Sequence, residues 1–446
     1  MMKTLKTTLM ATVLATTIFA LPAQAEELSL QDALKRGLVT NPEFGVVANN
    51  RDATEAELSQ ARGLYRPSID LAAAGGYGYR DNVILDASGN DDHGTVYSYS
   101  ATLTQMLFDG FAAKNEVERQ QARVQSAANR VHETSELVGL DIVEAYLEVL
   151  RQRDLLMIAR DNVQEHTVMK NEIFDTAEAG RSTDADVSQA DARLAAAKAN
   201  VASVKEALRN AEANYIQEIG ENPDVLIMPA LPVDAVSNNV DEAVKVALTN
   251  SPTLDIYESD MNVAWQEYEA SAANMMPTVD LQLQGSQNND FSGTVGRDKS
   301  ATAQVVANWN IYRGGIDTAM RREMIYRHAQ TKEARADAAR TVENDIRLTW
   351  AAMVAAGERA NEFAAQAVAN ERVVGAYKDQ FELDRRTLLD VLDSQNELFV
   401  SRSNAVNAEY LEMLAVYRLL ALQGRLLPTM QVDLPDEARP VVTSAK

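Results

Sequence analysis

The residues best placed to do chemistry in this chain are Arg386, Thr387, Asp390 and Asp393. Asp390 and Asp393 stand three apart, so on a helix their carboxylates share one face. Thr387 stands three before Asp390. At that spacing a hydroxyl caps a backbone N–H and the acid favours the positive end of the helix. The earlier stretch Gly180-Arg181-Ser182-Thr183-Asp184-Ala185-Asp186-Val187 repeats the pattern, with Thr183 three before Asp186. Capping accounts for Asp390 but not for Asp393, which leaves a carboxylate cluster acting on ions as the alternative. Other chemistry finds no support. His93, His132, His166 and His328 are scattered without metal-ligand spacing, and the chain has no Cys. No nucleophile–base pairing and no Walker-type phosphate loop is present, so the reading is not an enzyme, with no cofactor and no metal.

The elements that carry these residues are long helices. The chain has 446 residues and a formal net charge of -23, which argues against nucleic acid as a partner. Residues 1–25 read as a signal peptide: Lys3 and Lys6, an apolar run from Leu9 to Leu21, and a small-residue cleavage site Ala23-Gln24-Ala25. A first structural repeat is expected over 26–219. It holds two short helices broken at Asn41-Pro42, a β-hairpin about 67–108, a long helix 112–179 and a helix 184–219. The prolines Pro223, Pro229 and Pro232 mark a non-helical link over 220–239. A second repeat follows over 240–424, with a hairpin about 277–312, a long helix 316–381 and a helix 387–422. The tail 425–446 reads as irregular. Val117, Val124, Val131 and Val138 recur at the interval of a coiled coil, and so do Val187, Leu194, Val201, Leu208 and Tyr215. Ala190, Ala197 and Ala211 beside that second seam let the two arms pack closely.

Both hairpins alternate. Ile69, Leu71, Tyr77 and Tyr79, with Tyr97, Tyr99 and Leu103, oppose small polar residues, and Val279 to Ile311 alternates likewise through Trp309. Tyr77, Tyr79, Tyr97, Tyr99 and Trp309 are candidates for an aromatic belt at a lipid interface. No run is long enough for a membrane helix, so a membrane part must be a barrel. Four strands cannot close one, and open edges cannot sit in lipid, so the chain must oligomerise; three copies supply twelve strands.

The duplicated order resembles the TolC family of outer-membrane efflux and secretion ducts. The resemblance covers nearly all of the mature chain. Its carriers are Arg66-Pro67 and Met276-Pro277 at the strand starts, Phe108-Asp109-Gly110 and Tyr312-Arg313-Gly314-Gly315 at the strand exits, and the paired Thr/Asp-Val turns. It implies a mostly α homotrimer with a twelve-stranded β-barrel in outer-membrane lipid, continued by an α-helical tunnel across the periplasm. Its implied partners are a periplasmic adaptor (membrane fusion protein) and an inner-membrane transporter, either an ABC exporter or a proton-driven pump. It also implies a gate at the periplasmic tip, opened by movement of helix pairs. There Asp390 and Asp393 match an acidic pair around the entrance, Arg386 an arginine that ties neighbouring helices, and Asp186 a partner of such ties. Phe381 departs from the pattern, because the family's prototype has a tyrosine there; the lost hydroxyl implies a different closing network. Within this reading the exit duct of type I protein secretion comes first, favoured by the absence of a lipoprotein Cys. A multidrug efflux pump is the alternative, and a non-transporting coiled-coil tether of the envelope the more distant one.

Overall fold

The computed structural model describes residues 27–79, 93–289, 296–383 and 385–439. The leader expected over 1–25 and most of the first hairpin's loop lie outside them. The described chain runs β1 (Glu27–Leu28), α1 (Leu30–Thr40), α2 (Pro42–Gly63), β2 (Ser68–Tyr79), β3 (His93–Phe108), α3 (Ala112–Glu178) and α4 (Asp184–Ile219). It continues with β4 (Val225–Leu226), α5 (Val240–Asn250), α6 (Pro252–Ala270), β5 (Thr278–Asn289), β6 (Arg297–Asn308), α7 (Ile316–Glu382), α8 (Leu388–Leu422) and α9 (Leu426–Thr429). The same succession of two helices, hairpin, long helix and returning helix thus occurs twice.

Each long helix, α3 and α7, has 67 residues, which at the α-helical rise is about 100 Å. Local signals start and stop them. Asn41 ends α1, and its side chain accepts from the Glu43 N–H while Pro42 opens α2. Gly110 adopts a left-handed φ of 70°, and a β-carbon there would lie 2.6 Å from the Met276 β-carbon and 3.0 Å from the Ala273 carbonyl. Only glycine fits this junction of strand, helix and second repeat. At the far end of α3, Gly180 has a φ of 75°, its N–H reaches the Ala177 carbonyl, and the Arg181 N–H reaches the Thr176 carbonyl. That pair of bonds is the Schellman stop of a helix.

The core sits midway along the long helices. Leu34 and Leu38 of α1, Ile142 and Tyr146 of α3, Tyr215 of α4, Tyr417 of α8 and Leu427 of α9 form one buried cluster. The Tyr146 hydroxyl lies 2.8 Å from the Leu28 carbonyl and 2.6 Å from the Ile227 carbonyl, clamping β1 and β4, which pair in parallel. The link over 220–239 is therefore fastened by β4 to the segment just before α1. The segment after Gly424 is not wholly irregular either. It forms α9, with Leu426 and Leu427 fully buried, and Glu136 of α3 accepts the Leu426 and Leu427 N–H groups at 2.8 and 3.3 Å. The heptad residues Val124, Val131 and Val138 are buried, as their spacing requires.

Four strands form one antiparallel sheet in the order β2-β3-β5-β6, so the second hairpin continues the first. β2 and β6 are its edges. No described helix is long and apolar enough to cross a membrane.

Candidate functional site

Register decides what each face of the sheet presents, because directly paired residues project to the same side. Ile69 pairs with Leu103, Leu103 with Leu283, and Leu283 with Ala303. Leu281 pairs with Val305, and Leu71 with Ala101. These residues make one continuous apolar face, and Ile69, Leu71 and Val305 are exposed on it. The neighbouring rows, Asp70–Thr102–Gln284–Thr302 and Ser68–Thr104–Gln282–Gln304, make the middle of the opposite face polar. One strand shows an alternation; four aligned strands show a two-sided wall.

The candidate aromatics fall at both ends of this wall. Tyr99 aligns with Gln287 and Lys299, and Tyr97 with Asn289 and Arg297, on the continuation of the apolar face. Tyr77 and Tyr79 lie further toward the same end. Trp309 lies at the other end. β6 stops at Asn308, so the alternation expected through Trp309 and Ile311 does not continue as strand. The Trp309 indole N–H instead reaches the Met275 carbonyl at 3.1 Å, fixing the exposed ring at the strand–helix junction. The 12 residues of β6 span about 36 Å along the strand and about 25 Å across a membrane at a tilt of roughly 45°.

The second candidate site lies at the distal tip, where α3 turns into α4 and α7 into α8. Thr183 and Thr387 cap their helices in the same way. The Asp186 N–H donates to the Thr183 hydroxyl at 3.2 Å, while the Asp186 carboxylate accepts from the Thr183 N–H and hydroxyl at 2.9 and 2.7 Å. Asp390 and Thr387 repeat the box at 3.3, 3.3 and 2.8 Å. Hydrogen bonds from Thr183, the backbone one foremost, hold the Asp186 carboxyl below its ordinary range; the Thr387 hydroxyl does the same for Asp390. Both carboxylates are thus engaged with their own helix starts.

Asp393 is engaged differently. Its carboxylate accepts from Arg193 of α4 at 2.8 Å, joining the two repeats. Arg386 stacks on the Tyr377 ring, 4.1 Å from its centre, and donates from Nε to the Gln380 side chain at 3.0 Å. Its Nη1 stands 3.8 Å from the Asp390 carboxylate. Phe381 packs with Val187 and Tyr377 against a buried cluster of Met169, Ile173, Ala190, Leu388, Val391 and Leu392. Asp186, Arg386 and Phe381 line one cleft between the two turns. Arg193, Tyr377 and Gln380 escaped the sequence reading. Arg193 lies 200 residues from Asp393 and carries no local signal; Tyr377 stands one helical turn before Phe381, where the missing aromatic hydroxyl could have been sought.

The two boxes give a direct expectation. Thr387→Ala or Thr183→Ala should cost about 1 kcal/mol of local stability at that helix start. Trypsin should then cut faster after Arg181 or Arg385, and an unchanged cleavage rate would show that the caps do not hold the tip.

Among the described residues no group of three or more His, Cys, Asp or Glu side chains could hold a metal ion. A family profile described as Outer membrane efflux protein matches residues 23–221 and 243–425. The chain is 27% identical over 376 residues to Outer membrane efflux protein BepC of Brucella suis, covering 82% of this chain and 78% of that one. It is 23% identical to Outer membrane protein TolC of Escherichia coli, over 88% and 81% of the two chains. The fold superposes on the Campylobacter jejuni CmeC outer membrane channel with a TM-score of 0.77 at 12% identity, over 89% and 86% of the two chains.

Proposed function

Because the chain belongs to the outer membrane efflux protein family, an outer-membrane channel that extends into the periplasm, we propose that it is the passive exit duct of a tripartite export system. The observation that carries this reading is the two-sided sheet with two unpaired edge strands. An apolar face suits lipid, a polar face suits a water-filled lumen, and open edges require neighbours. A homotrimer closes the wall with twelve strands, and the exposed length of α7 supplies surface for the neighbouring copies. Tyr77, Tyr79, Tyr97 and Tyr99 form the outer aromatic belt and Trp309 the periplasmic one. The lack of a phosphate-binding loop leaves energy to an inner-membrane transporter, joined through a periplasmic adaptor.

The tip acts as the gate. Arg193 with Asp393 ties the two repeats together at the tip, while Arg386 with Tyr377 and Asp390 braces the turn of the second repeat. Asp393 contributes a carboxylate from each copy around the axis, which favours cations when the Arg193 tie is released. Asp186 acts through its cap rather than as the partner of an arginine. Neutralising Arg193 or Arg386 should raise single-channel open probability two- to fivefold, on the order of 0.5–1 kcal/mol per exposed tie. Planar bilayers containing purified trimers check this; wild-type current in both variants removes the two arginines from the gate.

The cargo we assign is protein secreted by the type I route, supported by the absence of a Cys for a lipid anchor. The similarity to an efflux protein of Brucella suis favours small-molecule efflux as the second reading. Deleting the gene separates them. Loss of one protein from the medium with unchanged drug tolerance supports secretion, and drug sensitivity with an unchanged secreted fraction supports efflux. Absence of detergent-resistant trimers and of ion current would overturn the duct itself.

A further inference from the structure

A level of the bundle just above the tip cluster holds buried polar side chains that find no partner. α3 and α8 run antiparallel, and Met169 and Ile173 of one pack with Leu388, Val391 and Leu392 of the other. His166, three before Met169, and Gln395, three after Leu392, therefore stand at one height. His166 is 5% exposed and its Nδ1 has no hydrogen-bond partner. Gln395 is 4% exposed, and neither its Nε2 nor its Oε1 has one. The level is thus under-satisfied. Around it the hairpins are held by exposed ion pairs, Arg193–Asp393 between α4 and α8 and Lys378–Glu165 between α7 and α3. Below it lies the dry apolar cluster.

We propose that this level is the hinge at which the tip of α7–α8 separates from that of α3–α4, and that the unpartnered Gln395 amide and His166 imidazole lower the cost of separating them. The physical reason is an asymmetry. In the packed state both groups are cut off from water without compensation, whereas in the separated state water satisfies them. That gain offsets part of the cost of exposing Val391 and Leu392. The ion pairs do not oppose the motion strongly, because surface pairs are weak. The proposal rests on the reading of the chain as a gated duct.

Acid should act on the same hinge. Burial holds the His166 imidazole below its ordinary range, the Arg193 charge adds to this, and Glu165 opposes it. The charges acting on His166 are Glu165 on α3 and Arg193 on α4, whose ion-pair partners are Lys378 on α7 and Asp393 on α8, and Asp161, Glu371 and Arg402 line the cleft beside Gln395. Lys170 of α3 pairs with Asp191 of α4 one turn below. A packed, neutral His166 becomes a cation on exposure once the pH falls below about 6.5. The packed level is therefore fully stable above that pH and weakens as pH falls through the depressed value.

The test uses full-length protein in detergent and in bilayers. Gln395→Met and Gln395→Leu should each slow hydrogen exchange of the amides from 388 to 396 by on the order of tenfold, one desolvated polar group's worth. Open probability should fall in parallel. Two apolar replacements of different shape guard against misfolding of either one. His166→Gln should abolish the acceleration of tip exchange, beyond the chemical rate, between pH 7 and pH 5. Exchange that is unchanged or faster in both Gln395 variants overturns the hinge. Wild-type protein that carries no current overturns the duct, while the exchange comparison still decides whether the level loosens the tip.

Discussion

Leu103→Arg should remove detergent-resistant trimers from the outer-membrane fraction, whereas Thr102→Arg should leave them in place. The two residues are adjacent on β3, one residue apart in depth, so position along the strand nearly cancels in the comparison. What differs is the face. Leu103 aligns with Ile69 and Leu283 at the middle of the apolar side, and Thr102 with Asp70 and Gln284 on the polar side. An arginine at the midplane of a lipid-facing barrel wall costs about 2–4 kcal/mol, and a trimer bears that cost three times. On the lumen side the same charge stays hydrated. It should change conductance and ion selectivity rather than assembly. The reverse outcome, with Thr102→Arg the disruptive variant, would mean that the faces are assigned the wrong way round.

Glu136 carries the second large effect. It is 1% exposed in the middle of α3, and its two oxygens accept the first two N–H groups of α9. Burial pushes its carboxyl up to about 8, against the opposing pull of those two backbone bonds. An acid whose folded value is raised adds stability that is fully present below its ordinary range, about 4.3, and is lost as pH rises through the folded value. The protein should therefore melt at a lower temperature at pH 9 than at pH 6. Glu136→Gln keeps an acceptor and removes the charge, so it should flatten that slope. Glu136→Leu leaves both N–H groups buried without a partner, at about 1–3 kcal/mol each, and should release the C-terminal segment to proteases. Melting curves at the two pH values, run with both variants, check the sign. A wild-type protein more stable at pH 9 than at pH 6 would show Glu136 to be a fully ionised cap.

The consequences of Glu136 illustrate a limit of linear reading. A glutamate within a long amphipathic helix looks like any solvated charge, and nothing near it in sequence announces α9, 290 residues away. Arg193 and Asp393 are a second case, and Tyr377 under Arg386 a third. Each partnership is set by how two hairpins lie against one another. By contrast, Thr183 with Asp186 and Thr387 with Asp390 bond within one helical turn, so their spacing alone determined their geometry.

The chain by itself thus determined what depends on near neighbours: long helices from heptads and missing prolines, the starts of the returning helices α4 and α8 from capping boxes, the stop of α3 from Gly180, and strands from strict alternation. Because the succession occurs twice, it also determined the duplicated plan and the need for neighbouring copies. Tertiary structure decided the rest. It aligned β3 with β5, so that two separate alternations became one apolar and one polar wall, and it sent Trp309 to the opposite end from the tyrosines. It placed His166 level with Gln395 and left both short of partners. The physical reason is range: caps and periodicities act over a few residues, whereas register, buried charge and ion pairing depend on which distant segments meet.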